Sequence, residues 1–323
     1  MKKLLALICL SFVVGCDDGD LTVETINFDD VAAQKCPSSN VIYKISGQEA
    51  LILEMNGTPG TPSDFNAAFL NEPTAGTPRL ITIGGNVRVL YRSYNGTLAQ
   101  DNICGTIPPA MPSVTEEWNA VSGIIEISTN VVKSANANLP GGEKITAYRH
   151  NIVLRNVTFD KPGGTQVYQT FNFGDYNAPV TAFTLTMNPL QLAQCESGKL
   201  FNSSGGEAFT LDIDPALIVN EVTPIGSPRT GLLSQDVNRL EFRRYAAGGL
   251  TPDHFCSDTP PATPEQIWVG ADGVDGISGI VQVTTTTSGG FLHEVRLINV
   301  TLTRGNVSFK LADDFLLGSF ITN

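Results

Sequence analysis

Carboxylates that recur along the chain are the side chains with which this protein could do acid–base chemistry. They come in pairs, one member in each half of the sequence, and three pairs stand out: Glu54 with Asp212, Glu72 with Glu221, and Asp101 with Asp253. Two carboxylates at a fixed separation are what glycoside hydrolysis requires. A surface hydrolase that acts on polysaccharide or peptidoglycan is therefore one functional hypothesis.

Histidine and arginine recur in the same way. His150 and His293 occupy matching positions, where a shared histidine is typical of a strand end that hydrogen bonds a neighbouring carbonyl. Arg79 and Arg229 also match, and we expect them to pair with the repeated acids. The sequence contains no Gly-x-Ser-x-Gly elbow, His-Glu-x-x-His helix or phosphate-binding Gly-x4-Gly-Lys loop. No catalytic residue is predicted, and the sequence favours a protein without catalytic activity.

Two further sets of residues are candidates for ligand binding. Trp118 and Trp268 each follow a Pro-Pro segment and could stack on sugars, although burial of their large rings in the core is the alternative. Asp272 and Asp275 lie in a Gly-rich segment, where carboxylates and carbonyls together could ligate calcium. That segment lacks the spacing of an EF-hand loop, so a plain turn is the alternative. No other metal and no cofactor is predicted.

All of these pairs recur because the chain carries one unit twice. Residues 150–159 read HNIVLRNVTF and residues 293–302 read HEVRLINVTL, and other pieces repeat around them in the same order. Self-similarity at a long, fixed offset indicates a tandem duplication. We expect the first repeat over residues 22–176, a linker over 177–179, and the second repeat over 180–323.

The elements that must position these residues are predicted to be strands. Valine, isoleucine, threonine and phenylalanine are plentiful, and 31 glycines and 19 prolines interrupt the chain at short intervals. The pattern predicts hairpins over 41–55 and 79–94, a short helix within 63–70, and long strands over 123–132 and 144–159. The fold class is therefore all-β, with two tandem homologous β-sandwich-like domains and β-barrel-like units as the alternative.

Four cysteines are expected to form disulfides. Of the six in the chain, Cys9 lies in the apolar leader and Cys16 directly follows it. Four cysteines allow three pairings, but duplication selects one bridge within each repeat. The predicted bridges are Cys36–Cys104 and Cys195–Cys256. Zinc is the alternative, but the sequence has no Cys-x-x-Cys.

The amino terminus predicts export and lipid anchoring. Two lysines precede an apolar run that is too short to span a bilayer, so residues 1–15 read as a signal peptide. Residues 13–16, VVGC, resemble the lipobox of bacterial lipoproteins, in which the cysteine is acylated. The acidic DDGD that follows resembles the surface-export signal of Bacteroidota lipoproteins, flavobacterial ones in particular. The resemblance implies lipidation at Cys16, a tether over residues 16–21, and an outer-membrane location facing the cell surface, with a periplasm-facing location as the alternative.

The charge and composition of the chain limit the classes of partner that it can bind. The formal net charge is −12, and phosphate backbones need a basic surface, so nucleic acid is excluded. The membrane is an expected partner through the lipid anchor, because two or three acyl chains hold a protein durably. We expect a non-catalytic surface binding or structural module that contacts a glycan or an envelope protein.

Overall fold

The structure is a computed structural model that describes residues 25–323. The signal peptide, Cys16 and the acidic tether lie outside the described residues, so their predictions stay predictions. The described chain is mostly strand and turn, with three α-helices of four residues each and two 3-10 helices of three residues, Pro189–Gln191 and Pro215–Leu217. None of the helices in this range has the length and apolar character that crossing a membrane requires.

Repeat 1 forms one eight-stranded antiparallel sheet. Its elements are β1 (Gln34–Lys35), β2 (Val41–Ser46), β3 (Glu49–Met55), α1 (Phe65–Ala68), β4 (Arg79–Thr82), β5 (Val87–Tyr94), α2 (Asp101–Cys104), β6 (Val114–Ala135), β7 (Glu143–Lys161) and β8 (Gly164–Pro179). The strands are paired in the order β1-β2-β3-β5-β6-β7-β8, and β4 pairs with β6.

The long strand β6 joins two parts of that sheet. Its first part pairs with β5 and a later part, over residues 124–127, pairs with β4, while β7 runs along its other edge. Between the two parts lies Gly123, with φ +135°, where a Cβ would stand 2.9 Å from Val157 Cα. The backbone therefore bends where glycine alone fits. The core beneath this sheet contains Trp118, Phe159 and Phe173.

Repeat 2 forms a nine-stranded antiparallel sheet on the same plan. Its elements are β9 (Ala193–Gln194), β10 (Leu200–Ser204), β11 (Glu207–Asp212), β12 (Arg229–Leu232), β13 (Arg239–Arg244), α3 (Asp253–Cys256), β14 (Gln266–Gly270), β15 (Ile280–Thr287), β16 (Phe291–Arg304) and β17 (Val307–Thr322). The order is β12-β15-β16-β14-β13-β11-β10-β9, and β17 pairs with β16. Here two strands, β14 and β15, replace β6, and the acidic segment 271–276 lies between them.

The predicted fold class and disulfides are confirmed. The chain is all-β with two tandem β-domains, and one of the two sheets curls into a half-barrel. Disulfides join Cys36 to Cys104 and Cys195 to Cys256, one within each repeat. Each bridge joins the residue that directly follows an edge strand, β1 or β9, to the last residue of a short helix, α2 or α3, at the same place in both copies.

Three predicted elements differ from the structure. The alternation of residues 21–28 predicts a first strand, but its described part, residues 25–28, is not a strand; residues 29–35, where an acidic residue predicts the start of a helical turn, instead contain a turn at 29–30 and then β1. β4 and β5 are not partners in a hairpin, because β4 pairs with β6 and β5 pairs with β3 and β6. Residues 177–179, expected as a linker, are the end of β8 and pair with residues 147–149 of β7. Long-range pairing overrides the local turn signals there.

The turn between β6 and β7 reaches across to repeat 2. Glu143 Oε2 accepts a hydrogen bond from Lys310 N at 3.0 Å, and Pro140 O accepts one from Asp313 N at 2.9 Å. Ile145 belongs to the hydrophobic core of repeat 2. The two repeats therefore share an interface, and separate folding of each repeat stays a prediction.

Candidate functional site

A chain of hydrogen bonds runs through repeat 2 from Arg229 to Asn220. Arg229 NH1 donates to Thr285 Oγ1 at 2.9 Å, and Thr285 Oγ1 lies 2.9 Å from His293 Nδ1. The other ring nitrogen, Nε2, lies 2.8 Å from Thr322 Oγ1, whose hydroxyl donates to Asn220 Oδ1 at 2.6 Å. Because arginine only donates, one direction satisfies every group: Thr285 donates to Nδ1, and a protonated Nε2 donates to Thr322.

Repeat 1 contains the first half of this hydrogen-bond network, from the arginine to the histidine, and lacks the second half. Arg79 NH1 donates to Thr129 Oγ1 at 2.7 Å, and Thr129 Oγ1 lies 2.8 Å from His150 Nδ1. The strand register places Ala178 where repeat 2 has Thr322. Alanine has no hydroxyl, and His150 Nε2 is a buried atom without a hydrogen-bond partner.

Burial governs the protonation of both histidines. His150 and His293 are each 0% exposed. Burial, with a smaller contribution from Arg79, lowers the pKa of His150 to about 4, and burial with Arg229 lowers the pKa of His293. Both rings are therefore neutral near pH 7 and out of contact with solvent. The expectation of a strand-end histidine bonded to a carbonyl is wrong, because each ring bonds a threonine hydroxyl instead.

The repeated arginines bind the repeated glutamates through their main chains. Arg79 NH2 donates to Glu72 O at 2.7 Å, and Arg229 NH2 donates to Glu221 O at 2.6 Å. Both glutamate residues are exposed. The expected pairing of guanidinium with carboxylate is thus replaced by a bond to the backbone carbonyl, which fixes the loop before β4 or β12 and leaves the carboxylates in solvent.

The other repeated acids also lie at the surface. Glu54 forms an ion pair with Arg88 at 3.1 Å, and Asp212 lies 3.7 Å from a neighbouring lysine. Asp101 and Asp253 begin α2 and α3, and both are exposed. The acids of one repeat therefore lie on three segments: the end of β3 or β11, the loop before β4 or β12, and the short helix beside the disulfide.

Trp118 and Trp268 are core residues. Each is 1% exposed, Trp118 Nε1 donates to Glu116 Oε1 at 2.7 Å, and Trp268 Nε1 donates to Gln266 Oε1 at 3.1 Å. Packing in the core, the alternative to a sugar-stacking platform, describes both rings. Trp268 also forms part of the wall of a pocket at the junction of the repeats.

Asp272 and Asp275 lie exposed on the turn between β14 and β15. The turn closes on itself, because Val274 N donates to Ser278 O at 2.8 Å. Across residues 25–323 no group of three or more histidine, cysteine, aspartate or glutamate side chains is arranged to hold a metal ion. Calcium binding by this pair stays a prediction, and the backbone bonds favour the plain turn.

A pocket of about 100 Å³ lies where the two repeats meet. Its walls come from repeat 1, from the segment that joins the repeats, and from repeat 2. The side chains that matter for its chemistry are Asn71, Tyr148, Phe183, Gln266, Trp268 and Arg304. We call this site the junction pocket, and neither repeat alone contains it.

The wall of the junction pocket includes a cluster of packed aromatic rings. Phe183 packs edge-on against Trp268, with ring centroids 5.8 Å apart, and also contacts Phe242. Tyr148 is only 5% exposed. Aromatic rings held in a core lose little further freedom when a ligand arrives, which favours tight binding of an apolar group.

Arg304 gives the junction pocket a positive charge close to the hydroxyl of Tyr148. Within residues 25–323 the Arg304 guanidinium and the Tyr148 hydroxyl have neither a hydrogen bond nor an ion pair. Burial raises the pKa of Tyr148 despite the opposing effect of Arg304, so the hydroxyl stays a donor. In repeat 1 the counterpart of Arg304 is Lys161, whose ammonium lies over the Trp118 ring at 4.3 Å. An arginine without a partner in an acidic protein points to an anionic ligand group.

Two carboxylates hold the segments that build this pocket. Glu207 is 2% exposed and accepts hydrogen bonds from the backbone nitrogens of Thr184 at 3.0 Å and Leu185 at 2.8 Å. These bonds fix the joining segment that carries Phe183. On the other side, Glu143 docks the β6–β7 turn on β17. The pocket is therefore preformed.

Sequence reasoning singled out Trp268 and missed Tyr148 and Arg304. Arg304 ends the repeated strand at the position of Lys161, so comparison of the two copies contained a signal for a conserved positive charge beside each tryptophan. Tyr148 had none, because its place in the pocket depends on how the β6–β7 turn crosses to repeat 2.

No protein-family model, no curated protein and no solved structure matches the chain.

Proposed function

We propose that this protein is a lipid-anchored, non-catalytic binding module of the bacterial cell surface, held in the outer membrane through Cys16. The lipobox-like VVGC and the acidic DDGD support the anchor and its placement. Disulfides in both repeats fit an exported protein, since the cytosol keeps thiols reduced. The observation that carries a binding role is the unpartnered Arg304 in the wall of the junction pocket.

The ligand group that fits the junction pocket is a carboxylate attached to a small apolar body. A guanidinium and a phenol hydroxyl close to each other suit the two oxygens of a carboxylate. The rest of the wall combines the rings of Phe183 and Trp268 with aliphatic and amide side chains, and the pocket volume of about 100 Å³ is of the same order as the cavity of about 150 Å³ that accepts benzene in another protein. The same chemistry occurs in a free small acid and in the carboxyl-terminal residue of an envelope protein.

A binding role also agrees with the fate of the repeated acids. They recur in both copies and lie on separate surface segments, whereas the two histidines are neutral and buried. A duplicated enzyme is expected to keep its acids in one cleft and lose them in the other copy. The proposal therefore takes the repeated residues as scaffold and the copy-specific junction as the site.

The junction site is tested on the mature chain with Cys16→Ser, which makes it soluble. Benzoate, a tripeptide ending in phenylalanine, and the amide of that tripeptide are titrated while tryptophan fluorescence and heat are recorded. We expect one carboxylate ligand to bind and the amide to bind at least about tenfold more weakly, because a lost charge-assisted bond costs about 1.5–3 kcal/mol. Binding of benzoate alone identifies a free acid, and binding of the peptide identifies a chain end.

Arg304→Gln is the matching variant, and Arg88→Gln is its control because Arg88 is an exposed arginine with an ion pair far along the chain. Arg304→Gln should abolish the preference for carboxylate over amide, and Arg88→Gln should not change it. Equal affinity for acid and amide in the unmodified protein contradicts the site.

The anchor is tested separately by fractionating cells that express the full chain with or without Cys16→Ser. We expect the variant to leave the membrane fraction, and we expect protease added to intact cells to digest the unmodified protein. A variant that stays with the membrane contradicts lipidation, and protection from protease contradicts the surface location.

A further inference from the structure

A buried lysine on β2 of repeat 1 places its ammonium beside β8. Lys44, on β2, is 2% exposed, and its Nζ donates to Phe28 O at 2.9 Å. Opposite it lies Gly174 on β8, with φ +102°, where a Cβ would stand 2.6 Å from Lys44 Nζ. A side chain at this position would displace the ammonium from where it lies. Of its three N–H groups, one has an acceptor among residues 25–323.

Lys44 lines an open, polar pocket of about 370 Å³. We call it the Lys44 pocket, and its other polar lining residues are Asp29, Asp30, Asn151, Asn172, Asp175 and Asn177. Asp175 Oδ1 accepts a hydrogen bond from Asn151 Nδ2 at 2.7 Å, and its Oδ2 lies 3.9 Å from Arg149 Nε. The other carboxylates and amides of this group have no side-chain partner in the described chain.

In repeat 2 the position that corresponds to the Lys44 pocket is occupied by other parts of the same chain. The strand register puts Asn202 at the position of Lys44 and Gly318 at that of Gly174. Asn202 Nδ2 donates to Leu317 O at 2.8 Å and to Asn188 O at 2.9 Å. A Cβ on Gly318 would stand 2.7 Å from Leu192 Cβ, so the turn that includes residues 189–191 packs directly on Gly318.

The polar lining also belongs to repeat 1 alone. In repeat 2 the positions of Asn172, Asp175 and Asn177 are taken by Leu316, Ser319 and Ile321. Asn172 and Asn177 are not needed to close the core, since the asparagine of repeat 2 closes it with backbone carbonyls, whereas Asp175 also compensates the charge of the buried ammonium. The difference between the copies therefore marks the Lys44 pocket as a site rather than a packing solution.

The mixture of donors and acceptors defines the ligand class. The Lys44 ammonium can donate hydrogen bonds to an oxygen acceptor, and its positive charge repels a metal cation in the same space. The carboxylates can accept hydrogen bonds from hydroxyl groups, and the asparagine amides can both donate and accept hydrogen bonds. Three aspartates against one lysine disfavour an acidic ligand. Neighbouring hydroxyls of a sugar, each a donor and an acceptor, satisfy all of these groups together.

We propose that the Lys44 pocket of repeat 1 is a binding site for a neutral carbohydrate, with Lys44 donating to one ring hydroxyl and Asp175 accepting from another. This site is separate from the junction pocket and does not depend on it. Burial lowers the pKa of Lys44, while Asp29 and Asp175 oppose that shift and favour its charged form.

The proposal is tested by calorimetric titration of the mature chain carrying Cys16→Ser. The probes are the neutral pentasaccharides of glucose, mannose and xylose, and the acidic pentasaccharide of galacturonic acid. We expect at least one neutral sugar to bind, and the acidic sugar to bind at least tenfold more weakly. Failure of every neutral sugar to bind, or preference for the acidic one, overturns the proposal.

Two variants place the binding in this pocket. Lys44→Asn introduces the residue of repeat 2, and Asp175→Asn removes one exposed carboxylate without touching the core. Each should weaken binding of the neutral sugar at least tenfold. The charge-matched control Asp236→Asn, on an exposed loop of repeat 2, should change the affinity by less than twofold. Because Asp175 lies at the surface, its variant reports on binding even if Lys44→Asn does not fold. Unchanged affinity in Asp175→Asn, or an equal loss in Asp236→Asn, overturns the assignment.

Discussion

His293 Nε2 lies 2.8 Å from Thr322 Oγ1, and this contact distinguishes the two copies of the buried network. Repeat 2 extends its chain of hydrogen bonds from Arg229 to Asn220 through the threonine. In repeat 1 alanine replaces it, and Asn71, the counterpart of Asn220, instead lines the junction pocket. Loss of one hydroxyl thus frees an amide for the surface where the repeats meet.

Thr322→Val should destabilise repeat 2. The change keeps the shape of the side chain and removes the hydroxyl, which leaves the buried His293 Nε2–H without its partner. An unsatisfied buried polar group costs about 1–3 kcal/mol, and we expect a loss of this size in the free energy of unfolding measured with urea. Thr301→Val is the control, because its side chain has no hydrogen bond in the described chain, and it should change stability by less than about 0.5 kcal/mol.

Stability should fall as the pH is lowered from about 6.5 to about 4. In the unfolded chain a histidine gains its proton near pH 6.5, whereas burial holds the pKa of folded His150 at about 4. The unfolded state therefore binds more protons in this window, and His150 alone removes up to about 3 kcal/mol. His293, whose pKa is also lowered, adds to the loss.

Urea unfolding at pH 7, 6 and 5 measures that dependence, and His150→Gln should reduce its slope by up to about 1.4 kcal/mol per pH unit. The range above pH 5 is chosen because ordinary carboxylates titrate mainly below it. Identical slopes in the unmodified protein and His150→Gln would falsify the buried, neutral state of this ring.

Removal of one disulfide should destabilise its own repeat. The bridges close loops with sequence separations of 68 and 61 residues, and the chain-entropy model gives roughly 4 kcal/mol for loops of this size. Cys195→Ala with Cys256→Ala should lower the unfolding free energy of repeat 2 by about that amount. Reduction of the unmodified protein should reproduce the effect. An unchanged melting curve after both treatments contradicts it.

Each repeat should fold by itself when the chain is divided after Pro179. Each half retains its own disulfide and its own hydrophobic core. Each should show a cooperative thermal transition in an oxidising medium. Both transitions should lie below that of the intact chain, because separation exposes Ile145 and breaks the bond from Lys310 N to Glu143.

Mixing the two halves provides the control for this experiment. Recombined halves should regain part of the lost stability, and Glu143→Gln in the first half should weaken that recovery. A half without a cooperative transition would mean that the repeats depend on each other for folding.

Much of the architecture could be predicted from the sequence because duplication writes the same local pattern twice. The β2–β3 hairpin is correct, since its alternation and Ser-Gly turn are local signals. The helix within 63–70 is also correct. The disulfide pairing followed from the same duplication, because each cysteine pair closes within one repeat.

Distant pairing decided the elements that the sequence described wrongly. β4 and β5 look like a hairpin along the chain, but β4 instead pairs with β6 some 45 residues later in sequence, as in the pair Arg79 and Ile127. Hydrogen bonding to an edge of a long strand outweighs a two-glycine turn. The end of β8 carries turn residues, and its pairing with β7 keeps it extended.

The sequence by itself determined the duplication, the all-β class and the bridges, and it contains the amino-terminal motif on which the proposed anchor depends. Only the tertiary structure decided what the repeated polar residues do. Arg79, Thr129 and His150 come from three strands and meet at 2.7 and 2.8 Å. Lys44 faces Gly174 only because β2 and β8 lie opposite each other. Such contacts depend on how the sheet bends, and bending is set by the packing of the whole core rather than by any local pattern.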